Sequence, residues 1–166
     1  MKLIALLITP LFLISCGKKL NHRDYMFSSD GLIYKYGTNE LYTGLVVDTA
    51  DVIITFEVVN GIKEGEFITF YLNGKVEKYG LISNDRNEGE WQYFYPNGKI
   101  ESIGTFHKNR PEGLWTSYYQ DGKIKTEGSY RNGKQNGIWN FYDSYGELIN
   151  SLIFQEGVIC KNEVNT

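Results

Sequence analysis

Cysteine, proline and histidine are nearly missing from this chain: its 166 residues hold 2 Cys, 3 Pro and 2 His. One cysteine, Cys16, closes a short apolar leader, so a processed chain would keep Cys160 as its only free thiol, and an internal disulfide is excluded. Cys160 sits in an apolar setting, Val158-Ile159-Cys160, that favours an inert thiol over a reactive one. His22 and His107 stand in no metal-ligand spacing, which leaves no metal and no cofactor to expect. G-x-S-x-G elbows and phosphate-cradling glycine motifs are absent as well. An excess of positive charge is also lacking, with 17 Lys plus Arg against 20 Asp plus Glu, and that argues against nucleic acid as a partner. The apolar run over residues 3–14 is too short for a permanent membrane-spanning helix.

What the chain does have is 13 Tyr and 18 Gly, a composition of strands and tight turns. These residues recur on a period of 24. Gly65, Gly89, Gly113 and Gly137 share one column, and two places on come Phe67, Trp91, Trp115 and Trp139. Asn73-Gly74, Asn97-Gly98, Asp121-Gly122 and Tyr145-Gly146 follow at the same step, and a third glycine column holds at Gly80, Gly104 and Gly128. Asn-Gly or Asp-Gly between aromatic and β-branched residues predicts a hairpin with a type I′ turn. Counting outward from two-residue turns pairs Phe67 with Gly80, Trp91 with Gly104 and Trp115 with Gly128, so that a large ring covers a bare glycine across the hairpin.

A single hairpin is marginal in water, so the units must stack. The fold expected is all-β: antiparallel hairpin repeats forming an elongated, curved single sheet or short β-solenoid. The repeat domain spans 31–161, with a worn first unit over 42–64 and units at 65–88, 89–112, 113–136 and 137–160. Residues 16–30 read as anchor and tether, 31–36 as an added N-terminal strand, and 162–166 as a fraying tail. Alternation puts the Trp column, Tyr71, Tyr95 and Tyr119 on the core face. Val76, Ile100, Ile124 and Leu148 join them there, with Ile82, Phe106, Tyr130 and Phe154 at the far strand ends. The opposite face is mixed, with Phe70, Phe94, Tyr118 and Tyr142 beside Glu77, Glu101, Lys125 and Glu127. That ring column is the candidate binding face, and the alternatives of plain cross-strand packing or cover by the N-terminal segment stay open. Glu64, Glu88 and Glu112 form an acidic row whose spacing follows from the period alone. A solvated row is expected there rather than a catalytic pair, and no enzymatic activity is expected.

Two resemblances add to this. Leu13-Ile14-Ser15-Cys16 resembles the lipobox of bacterial lipoproteins. That likeness implies a signal peptide over 1–15, cleavage before Cys16, a diacylglyceryl and palmitate-type anchor on Cys16, and a location at the cell envelope, facing the periplasm or the cell exterior. The string Gly-x-Trp-x-x-Tyr-Tyr-x-x-Gly-Lys-Ile resembles the bacterial variant of the MORN repeat found in YwqK-family antitoxins, strongly over 65–154 and weakly over 42–61. It implies antiparallel hairpins serving as a scaffold. Together they point to a lipid-anchored, non-enzymatic interaction module for a protein or glycan partner; the alternative is an antitoxin or immunity-like protein acting on a toxin at the envelope.

Overall fold

The turns set the architecture. In the computed structural model, which describes residues 24–49 and 53–163, two kinds of turn alternate along the repeats. One kind is Asn60-Gly61, Asn84-Asp85, Lys108-Asn109, Asn132-Gly133 and Glu156-Gly157, where both residues have positive φ, between 48° and 84°. These are two-residue type I′ turns, closed by pairs such as Ser83↔Arg86 and His107↔Arg110. The Asn-Gly and Asp-Gly turns expected to be type I′ are of the other kind. At Asn73-Gly74 only Gly74 has positive φ, 80°. The Gly74 N–H donates to the Tyr71 carbonyl and the Tyr71 N–H to the Lys75 carbonyl, which defines a type I turn closed by a glycine bulge.

Between the turns the chain runs as an antiparallel meander. Strands β3 (Gly44–Asp48), β4 (Ile53–Val59), β5 (Ile62–Phe70), β6 (Val76–Ser83), β7 (Arg86–Phe94) and β8 (Ile100–His107) are followed by β9 (Arg110–Tyr118), β10 (Ile124–Arg131), β11 (Lys134–Tyr142), β12 (Leu148–Gln155) and β13 (Val158–Glu163). All eleven pair in sequence order in one open, all-antiparallel sheet. A separate two-stranded sheet, β1 (Tyr25–Phe27) with β2 (Ile33–Lys35), sits at the N-terminal end. Strand β1 therefore occupies part of the stretch expected to be tether.

The pairs Phe67↔Gly80, Trp91↔Gly104 and Gly128↔Trp115 match the expected register. The expected packing does not hold, because each Trp ring covers the glycine of the preceding hairpin instead, and Phe67 stacks on Phe56. A Cβ on Gly80, Gly104 or Gly128 would lie 2.1, 2.0 or 2.2 Å from the ring of Trp91, Trp115 or Trp139. The Trp91 and Trp139 indoles also donate to the Leu81 and Ser129 carbonyls on that preceding strand. Glycine here is what lets a ring cross a neighbouring strand and tie two repeats together. The column at Gly65, Gly89, Gly113 and Gly137 does a third job, holding φ of 68° to 82° where the strand bulges.

An aromatic row runs the length of the Trp face. Phe56, Phe67, Trp91, Phe106, Trp115, Tyr130, Trp139 and Phe154 follow one another at centroid distances of 5.1 to 6.3 Å. At the N-terminal end the small sheet caps this face: Ile33, Val46, Phe56 and Val58 form the buried cluster, with Tyr25, Tyr42, Ile54 and Phe67 packed against it.

A bulge residue in each repeat corrects the expected faces. The register shifts between Thr69 and Phe70, and again at Phe94 and at Tyr142, so Phe70 pairs with Val76, Phe94 with Ile100, Tyr118 with Ile124 and Tyr142 with Leu148. Residues directly opposite share a face. Val76, Ile100, Ile124 and Leu148 therefore leave the Trp face for the mixed one. Bulge residues Glu77 and Lys125 go the other way: the Thr69 hydroxyl donates to Glu77, and the Lys125 ammonium lies 5.8 Å from the Tyr119 ring centroid. Glu101 joins them, its charge helping to raise the phenols of Tyr71 and Tyr95.

Candidate functional site

On the mixed face the four rings of the candidate column stand opposite four aliphatic side chains. Phe70–Val76, Phe94–Ile100, Tyr118–Ile124 and Tyr142–Leu148 recur once per hairpin, at intervals of about 10 Å set by the strand spacing. Ile53 pairs with Phe70 from the other side and lengthens the row by one strand. The rings are half-buried, while Ile100 and Leu148 are 37% and 40% exposed. Among the described residues no second layer covers this row. It is a strip of apolar surface with one polar end, where Glu127 accepts from the Tyr142 hydroxyl at 2.6 Å and from the Asn140 amide at 3.3 Å. That carboxylate is the first cause of the raised Tyr142 phenol.

The acidic row proves to be part of the repeat's stitching. Glu64 accepts from the Asn84 N–H at 2.8 Å and the Ser83 hydroxyl at 2.9 Å. Glu88 accepts from the Lys108 N–H at 2.9 Å and meets His107 Nδ1 at 2.7 Å, and Glu112 accepts from the Asn132 N–H at 2.7 Å. Each carboxylate thus satisfies the first N–H of the type I′ turn one hairpin on. The turn N–H of Lys108, followed by His107, holds the Glu88 carboxyl below its usual range.

The opposite rim has the same forward logic, invisible in composition. The hydroxyls of Tyr71, Tyr95 and Tyr119 donate to the carbonyls of Phe94, Tyr118 and Tyr142 in the next unit. The ammonium groups of Lys75, Lys99 and Lys123 donate to the carbonyls of Asn97, Asp121 and Ser144. In the last copy these positions hold Asp143 and Glu147, and Asn136 takes the place of the acidic row's next glutamate.

Cys160 is exposed, and Val158 and Ile159 beside it are 66% and 51% exposed, so the apolar neighbours do not enclose the thiol. Among the described residues no group of three or more His, Cys, Asp or Glu is placed to hold a metal. The stretch expected to be a signal peptide, Cys16, His22 and most of the tail lie outside the described residues.

Three consecutive stretches, 63–84, 87–108 and 111–132, match the MORN repeat variant. The chain therefore carries at least three such repeats in tandem, each beginning just after one type I′ turn and ending in the next. No curated protein matches the chain. Among solved structures it is similar to the crystal structure of TarM, at 12% identity and a TM-score of 0.33 over 72% of this chain and 21% of that one. A mutant of S. aureus TarM in complex with Fondaparinux, alpha-GlcNAc-glycerol and UDP gives the same values. The chain thus covers about a fifth of those proteins, and at that TM-score the likeness establishes neither fold nor activity.

Proposed function

We propose that this protein is a non-enzymatic, lipid-anchored interaction module of a bacterial cell envelope, which seats a protein or glycan along its mixed face. The tandem MORN repeat variants support a repeat-based binding module. The observation that carries the reading is the uncovered row of ring–aliphatic pairs from Phe70–Val76 to Tyr142–Leu148, one pair per hairpin. A partner lying along several units gains from each in turn, so the loss of two neighbouring rings weakens it more than the loss of one. The engagement of Glu64, Glu88 and Glu112 by turn N–H groups supports a structural role for the acidic row. Attachment to the membrane rests on Leu13-Ile14-Ser15-Cys16.

Both halves can be tested with the full chain. Metabolic labelling with palmitate is expected to mark the parent and not Cys16→Ser; equal labelling would remove the anchor from the reading. Crosslinking in membranes, followed by recovery of the protein, is expected to yield a partner that is reduced with Phe94→Ser or Tyr118→Ser and lost with the double variant. Lys125→Gln, on the Trp face, is expected to retain it. Retention by the folded double variant would remove the mixed face as the binding surface.

A further inference from the structure

We infer that the rim of the mixed face formed by the type I′ turns carries a second site, for a soluble ligand bearing two phosphate or sulfate groups. Two hollows adjoin there, of about 470 and 290 Å³. Arg86 and Lys108 line both, and Arg110 and His107 complete the larger one. The turn geometry brings these side chains together: Arg86 and Arg110 are the first residues after their turns, paired across them with Ser83 and His107, and Lys108 is the first residue of the turn between β8 and β9. Arg86 and Arg110 stand two strands apart, about 10 Å, with Lys108 at the turn between.

Positive charge is in excess in the hollows, with Arg86, Lys108 and Arg110 against Glu88 and Glu112. Arg86, Lys108 and Arg110 form no ion pair among the described residues. The carboxylates that line the hollows, Glu88 and Glu112, are turned to the backbone: Glu88 is held by His107 and the Lys108 N–H, and Glu112 by the Asn132 N–H. Three exposed cations thus stand against two carboxylates that keep their charge while hydrogen-bonded, and the Lys108 charge helps to lower Glu88, so the lining of the two hollows holds one net positive charge. Guanidinium forks match the oxygens of phosphate and sulfate in pairs, and a lysine beside them adds a point charge. Because both hollows contain Arg86 and Lys108, an anionic group in each would be shared by these two residues. A ligand with two such groups therefore gains over one with a single group. This site uses none of the ring column and stands apart from the function proposed above.

Isothermal titration of the full chain in detergent tests it, with fructose 1,6-bisphosphate and inorganic phosphate as probes at near-physiological salt. The bisphosphate is expected to bind at least tenfold more tightly than phosphate. Arg86→Gln and Arg110→Gln, both at exposed positions and so without a packing role, are each expected to weaken it severalfold, and the double variant to abolish it. Lys125→Gln, which removes the same charge from the Trp face, is expected to leave it unchanged. Absence of bisphosphate binding, equal affinity for the two probes, unchanged binding by the double arginine variant, or an equal loss in Lys125→Gln would each overturn the site.

Discussion

Trp115 and Gly104 act as one unit. The indole occupies the space where a side chain at position 104 would begin, since a Cβ there would come 2.0 Å from the ring. Trp115→Ala is expected to cost about 3–5 kcal/mol, the range for large aromatic truncations. Gly104→Ala alone is expected to cost about 1–3 kcal/mol by overpacking. With Ala already at 115 the obstruction is gone, and the glycine substitution is expected to cost under about 0.5 kcal/mol. Urea denaturation of the two single variants and the double gives the coupling directly; simple additivity would mean that the ring does not lie where the structure puts it. The pairing of Trp115 with Gly128 and of Trp91 with Gly104 was legible in the sequence, because the period places them opposite each other across a hairpin. Which glycine each ring covers was not, since Gly104 pairs with both Trp91 and Trp115 and only three-dimensional packing chooses between them.

At the scale of strands and turns, the register survived an error in the turn. A two-residue loop and a three-residue loop followed by a bulge lead to the same pairing beyond the bulge, so Trp91↔Gly104 comes out right from either count. Inside the bulge the two differ by one residue, and one residue turns a side chain to the other face. That is why Val76, Ile100, Ile124 and Leu148 lie on the mixed face and not on the Trp face that simple alternation predicts. The forward bonds of tyrosine, lysine and glutamate were hidden for another reason: their acceptors and donors are mostly backbone groups, which leave no mark in the sequence. Tyr95→Phe removes the bond to the Tyr118 carbonyl and is expected to cost about 1 kcal/mol in urea melts. Tyr145→Phe, at a ring 82% exposed, is expected to stay within about 0.5 kcal/mol of the parent. Equal effects would deny the staple any role in stability. The turn-rim site was equally illegible, because Arg86, Lys108 and Arg110 read in the sequence as ordinary surface charges and meet only when two turns stand side by side.

Over the described residues, the molecule is a single layer, capped at one end by β1 and β2 and uncapped at the other at β13. Its stability is spread over tyrosines along the sheet. Burial, the first cause in each case, raises the phenols of Tyr71, Tyr79, Tyr93, Tyr95 and Tyr130. A phenol that holds its proton more tightly when folded lends stability that is complete below the unfolded value of about 10 and is lost as pH rises through the folded value. Thermal melting points are therefore expected to be insensitive to these groups up to about pH 9 and to fall steeply above about pH 10, together with the rise in phenolate absorbance. Phenolate forming fully before any loss of structure would show that the hydroxyls are not held by the fold.

The sequential order of the strands also decides how the molecule yields to force. The chain enters the large sheet at one outer strand and leaves at the other, so tension between its ends pulls along the line of hydrogen bonds and opens them one after another instead of shearing a whole strand at once. With contacts confined to neighbouring units, a stretched molecule is expected to give way hairpin by hairpin. Each release of a 24-residue repeat frees about 80 Å of chain. Optical-tweezer records should show low-force steps of that size, recoverable on relaxation, and a single rupture of the entire sheet would contradict the independence of the repeats. Held at both ends, such a sheet would lengthen and recover as a spring does.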